Sequence, residues 1–170
     1  MSILSFKSRA KNTYTIFTEL LNYVTRADAT DPALICGFST LPADFQVAAE
    51  ALAIANHQHH GKALFHIVLA FSPDEDSWVT PRDAFDVGRD IGSIFSKWNG
   101  RLMLGIMAVH LDEEFPHCHY LFSNLDVYTG KRFYPDRREL ADIKRSANDI
   151  LKGYGLSPIK LFDSSHSAYA

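Results

Sequence analysis

The segment His110-Leu-Asp-Glu-Glu-Phe-Pro-His117-Cys-His119 puts three histidines and three carboxylates into ten residues. Imidazole is the commonest metal ligand of proteins when neutral. Three imidazoles converging on one point make a seat for a divalent metal that keeps positions open for a substrate. A closed structural zinc site is the competing reading, and the lack of a cysteine pair beside the histidines argues against it. His117 and His119 are two apart, so on a strand they project to one face and Cys118 to the other. The pattern predicts an open metal centre made by His110, His117 and His119.

Such a centre needs elements that carry His110 to the other two. An apolar run, Leu102 to Val109, precedes the first histidine, and Tyr120-Leu-Phe follows the last. They predict strands over 102–110 and 117–125, folded as a hairpin that closes His110 onto the pair. Phe17, Leu20, Leu21 and Val24 form a helical stripe within 14–26. A short strand is expected over 34–40 and an Ala-rich helix over 42–56, with Asp44 as its N-cap. Residues 62–71 read as a buried strand. Thr80-Pro81 opens a helix that runs to Trp98 and stops at Asn99-Gly100. Pro135-Asp136 opens a last helix, through Lys152. Strands and helices do not alternate as in a doubly wound fold. The expected class is α+β, a central antiparallel β-sheet with flanking helices. One domain is expected over 1–160, with a loose Ser-rich tail over 161–170.

A chain of 170 residues with aromatics and aliphatics spread throughout has enough apolar surface for one core. No apolar run is long enough to span a bilayer, and the first residues lack a signal-peptide pattern. Two cysteines suit a reducing compartment. The net charge of −3 argues weakly against a nucleic-acid binder, but the charge is uneven. Lys7, Arg9, Lys11 and Arg26 face only Glu19 in residues 1–26, and residues 131–160 carry eight basic side chains against four acidic. Two basic ends can form a face on an acidic chain.

With this order of elements the chain resembles the relaxase (mobilisation nuclease) family of HUH endonucleases, and most of all the P-type relaxases of mobilisable plasmids. Three blocks carry the likeness. Leu20-Leu-Asn-Tyr23-Val-Thr-Arg26 is similar to the block holding the nucleophilic tyrosine. His66-Ile-Val-Leu-Ala-Phe71-Ser-Pro-Asp74 is similar to the central strand, with Ala70 where the family commonly has serine and Ser72 two residues on. Ala108-Val-His110-Leu-Asp112 through His117-Cys-His119 to Asn124 is similar to the three-histidine metal motif. The spelling His-Leu-Asp-Glu…Pro-His-x-His also resembles V-type relaxases, whose nucleophile is an N-terminal histidine. No histidine precedes His57 here, so tyrosine is preferred.

The resemblance implies a site- and strand-specific DNA nickase of the bacterial cytoplasm. Its substrate would be single-stranded DNA at a transfer origin, its cofactor a divalent metal (Mg or Mn), and its partners accessory transfer proteins and a coupling protein. Tyr23 is the implied nucleophile, with Tyr14 the rival. Asp112 is expected to accept an imidazole N–H, which fixes the tautomer, or to take the tyrosine proton. Arg26 is expected on a flanking phosphate. Lys131, Arg132, Arg137 and Arg138 are expected along a single-strand groove, with Phe133 and Tyr134 as stacking surfaces. The alternatives are a rolling-circle initiator or single-strand transposase of the same class, or a DNA-binding relic without catalysis. His57, His59 and His60 read as surface groups at a helix end. His66 reads as a buried hydrogen-bonding residue or a DNA contact.

Overall fold

Runs of apolar residues become strands here, and the structure, a computed structural model, describes residues 1–7, 14–57 and 64–161. The strands are β1 (Ile3–Lys7), β2 (Ile35–Phe38), β3 (Leu64–Ala70), β4 (Gly105–His110) and β5 (His117–Ser123). All neighbours pair antiparallel in the order β1-β3-β5-β4-β2. The helices are α1 (Tyr14–Val24), α2 (Phe45–Ala55), α3 (Pro81–Ser96) and α4 (Arg137–Gly153). The expected α+β class with a central antiparallel sheet is what the chain forms. No helix among the described residues is long and apolar enough to cross a membrane. His59, His60 and all but the first residue of the expected tail lie outside the described residues.

Alternation along β5 feeds two separate cores. Cys118, Tyr120 and Phe122 join Ile67, Leu69, Met107 and Val109 in a core shared with α3 and α4. Leu121 turns the other way, with Ile106 and Ala108, against Phe17, Leu20 and Val24 of α1 and Phe45 and Ala49 of α2. The helix α3 comes very close to the sheet at Gly88. A Cβ there would stand 2.7 Å from both Cys118 Sγ and Met107 Sδ, inside normal contact distance. That approach lets Tyr120 donate from its hydroxyl to the Gly88 carbonyl at 3.0 Å. The back of β5 is thereby clamped.

Thr80 caps its helix as expected, and Asp136, expected to open the last helix, is its N-cap. Thr80 Oγ accepts from the Asp83 amide and Asp83 returns a bond to the Thr80 amide, a capping box. Asp136 accepts from the Glu139 amide at 2.8 Å. Asp44 does not act as a cap. It ends a 3-10 turn, Pro42–Asp44, that runs straight into α2. Its backbone is already helical, whereas a capping side chain needs an extended one. The strand β1 was not expected at all. It is a five-residue edge strand in which Leu4 is buried and Ile3 exposed, too short for a periodic signal to stand out.

Candidate active site

The hairpin places His110 opposite His117, and His119 opposite Ala108, in the β4–β5 register. The ring centroids of His110 lie 5.5 Å from His117 and 4.2 Å from His119, and those of His117 and His119 are 5.0 Å apart. All three side chains are buried. Each offers one ring nitrogen, and these three nitrogens lie within 4.8 Å of one another.

The outer nitrogen of each ring is committed elsewhere. His110 Nε2 donates to the Val24 carbonyl at 2.9 Å. Val24 is the last residue of α1, where a helix leaves carbonyls without internal partners. His117 Nδ1 donates to the Phe115 carbonyl at 3.3 Å. His119 Nδ1 lies 2.9 Å from His66 Nε2. The inner atoms His110 Nδ1 and His119 Nε2 are buried, and no group among the described residues hydrogen-bonds to them. Orphaned lone pairs inside a protein are costly unless something occupies them. A divalent ion fits this donor set: three neutral imidazoles with their outer N–H groups engaged.

Electrostatics favour the neutral form of His119 and of His110. Burial, then the neighbouring histidines and Arg26, push His119 down to about 2. Burial also lowers His110, against the opposing effects of the Val24 carbonyl and Asp112. Cys118 is no ligand. It faces α3, its thiol donates to the Ala84 carbonyl at 3.3 Å, and burial pushes it up to about 12.

Tyr23 stands over the cluster. Its ring centroid is 5.5 Å from His110 and 5.4 Å from His119, both edge-on, and it is 40% exposed, so solvent reaches it. The Arg26 guanidinium lies 5.0 Å from the Tyr23 ring centroid. Arg26 also pairs with Asp112 and, at 3.6 Å, with Asp28. Asp112 Oδ1 is 3.6 Å from His110 Nδ1, beyond hydrogen-bond length. The tautomer-fixing contact expected from Asp112 comes instead from Val24, because the N–H of His110 sits on Nε2. Tyr14 begins α1, nine positions before Tyr23, or roughly 13 Å along the helix axis at about 1.5 Å per residue. Tyr120 faces the other core.

The remaining expected residues are dispersed. Arg132 bridges Leu125 beyond the end of β5, and Arg101 pairs with Glu139 near the start of α4 at 3.2 Å. Leu125 is six residues from His119, so roughly 20 Å along a strand rising about 3.3 Å per residue. Arg132 therefore lies at the opposite end of the sheet from the histidines, with Lys131 beside it in sequence and Arg137 and Arg138 opening α4. Phe133 is not a stacking surface. It is 5% exposed, and the Arg101 guanidinium covers its ring at 4.5 Å. Tyr134 is exposed. Ala70 pairs with His117 across β3 and β5. Ser72 does not substitute there, since its hydroxyl accepts from the Glu75 amide at 3.4 Å in the following turn. His57 is an exposed helix-end residue with φ 55°. His66 is buried against His119.

Comparison with known proteins places this geometry. The relaxase family model, described as a MobA/VirD2-like nuclease domain, matches residues 23–156. The chain belongs to the relaxase family. Among curated relatives, this relaxase domain is 32% identical over 68 residues to the group II intron-interrupted relaxase LtrB of Lactococcus lactis, covering 40% of the chain and 11% of that protein. It is 23% identical over 137 residues to protein rlx of Staphylococcus aureus, covering 81% of the chain and 38% of that protein. The relaxase domain thus spans less than two-fifths of the length of these relatives. Its fold is that of the MobM relaxase domain (MOBV), solved with Mn and plasmid pMV158 oriT DNA. The TM-score is 0.65 at 13% identity, over 99% of this chain and 93% of that one.

Proposed function

We propose that this relaxase domain nicks one DNA strand at a transfer origin by transesterification on Tyr23. The observation that carries the reading is the Tyr23 ring lying 5.4 to 5.5 Å from two of three convergent histidines while still exposed. The Tyr23 oxygen attacks the scissile phosphorus. A tyrosyl O–P bond forms and the P–O3′ bond breaks, leaving the protein on the 5′ phosphate and a 3′ hydroxyl on the other fragment. The phenolic proton goes to Asp112 and the leaving oxygen takes one from water. No phosphoester energy is lost, so the strand can be rejoined.

His110, His117 and His119 would hold the divalent ion. Bound there, Mn or Mg would supply Lewis-acid stabilisation for charge developing on the phosphate. A phenol titrating near 10 is a poor nucleophile at neutral pH. Arg26, its guanidinium over the Tyr23 ring, offers a donor to a flanking phosphate. Lys131, Arg132, Arg137 and Arg138 would contact a more distant stretch of the same DNA, through phosphates rather than bases. The domain would act in the bacterial cytoplasm with accessory transfer proteins and a coupling protein.

The test is incubation of origin-containing single-stranded oligonucleotides with Mn²⁺, followed by a denaturing gel. A covalent protein–DNA adduct is expected for the parent chain and none for Tyr23→Phe. Cleavage by the Phe variant at the parental rate rules out Tyr23. Cleavage without any adduct points to a water-using hydrolase.

A further inference from the structure

We infer that His66 is the positioning residue that sets the proton on His119 and so aims its inner nitrogen at the metal. The inference rests on the metal reading above and concerns a residue on another strand. His66 lies on β3, in diagonal register to His119, which pairs with Val68. Diagonal neighbours across an antiparallel pair are within reach of ring side chains. The ring centroids lie 5.2 Å apart with 28° between their planes, and His66 Nε2 is 2.9 Å from His119 Nδ1, so the two near-coplanar rings meet edge to edge. Both side chains are buried, so water does not supply the bond instead.

A hydrogen bond between two ring nitrogens needs one to donate and the other to accept. Neutral His119 has two tautomers. With the proton on Nε2, an N–H aims into the space shared with His110 Nδ1 and excludes a cation. With the proton on Nδ1, that N–H is donated to His66 Nε2, and the orphaned Nε2 lone pair faces the centre. Only the second arrangement binds an ion. Metal-bound histidines usually give their outer N–H to a carboxylate or a carbonyl. His110 and His117 use the carbonyls of Val24 and Phe115. Among the described residues no carbonyl serves His119; the β3 imidazole does. His66 also meets Tyr23 edge-on, with centroids 6.3 Å apart, so one side chain abuts both a ligand and the nucleophile.

Mn²⁺ titration calorimetry on the parent, His66→Phe and His66→Gln chains separates the possibilities. Phe keeps a ring but accepts nothing, whereas Gln accepts through Oε1. Affinity is expected to fall roughly 10- to 100-fold in the Phe variant and to recover most of that loss in the Gln variant. In the parent chain loaded with diamagnetic Zn²⁺, ¹⁵N spectra should show His119 protonated on Nδ1 and coupled through the hydrogen bond to His66 Nε2. This measurement needs no variant, so it decides the matter even if His66→Phe does not fold. Parental Mn²⁺ affinity in a folded Phe variant, or a proton on His119 Nε2 in the Zn²⁺-loaded chain, overturns the inference and leaves the metal site standing. A parent chain that binds neither ion overturns both.

Discussion

The two faces of β5 are built by alternate residues of one seven-residue strand, yet they obey opposite rules. On the α3 side, each polar atom of Cys118 and Tyr120 has a partner in the helix backbone. Packing there is close enough that Gly88 admits no side chain. On the other side, His117 and His119 are equally buried, but inner ring nitrogens of the cluster are left without partners. One face lowers the energy of the folded chain. The other holds unsatisfied lone pairs in a fixed array, a cost tolerated where a ligand is to be bound.

Substitutions should split along the same line. The largest effect belongs to the histidine face. His119→Ala is expected to weaken Mn²⁺ binding by more than about 100-fold, beyond the loss typical of an outer-contact residue, and to abolish nicking. Its metal-free melting temperature should hold or rise, because a desolvated imidazole is removed. Calorimetry and thermal melting read the two quantities separately, and a sharply lower melting temperature would show that the faces are not distinct.

Next comes the helix face. Tyr120→Phe removes the donor to the Gly88 carbonyl and should cost about 1–2 kcal/mol in urea unfolding, with Mn²⁺ affinity unchanged. Loss of metal binding in that variant would mean that the clamp on the back of β5 sets the front.

The smallest effect is in pH dependence. An imidazole titrates near 6.5 in an unfolded chain, while His119 in the folded one is held down to about 2 by burial first. Between those values the unfolded chain binds more protons, so stability rises with pH and is lost as pH falls through the window. The metal-free domain should melt lower as pH drops from about 7 to about 5, and His119→Gln should flatten that slope. An unchanged slope would assign the proton uptake to other groups.

The histidine triad was legible because strand alternation is local: spacing alone sends His117 and His119 one way and Cys118 the other. The hairpin followed from two apolar runs, and the helix ends at Thr80 and Asp136 from capping residues next to their helices. What escaped the sequence depends on register between distant segments. Nothing near residue 110 announces that the Val24 carbonyl will take its N–H. Nothing near residue 112 announces a pairing with Arg26. His66 carried a signal, a histidine in a buried apolar strand, but only the β3–β5 register names its partner. Phe133 misled for a related reason. An aromatic among basic residues looks like a stacking platform, yet Arg101, far away in sequence, closes over it.

The bond from His110 to Val24 closes the end of α1, the helix that carries Tyr23 one residue earlier. A second bond, from the Leu111 amide to the Ala29 carbonyl at 2.7 Å, ties the exit of the same helix to the tip of β4. Tyr23 and His110 thus share one anchorage. A displacement of the end of α1 would therefore be passed to His110 through the Val24 bond. A substitution that loosens the helix end should be felt first as lost precision, in a broader spread of Tyr23 positions over the rings, before any change in what the rings can hold.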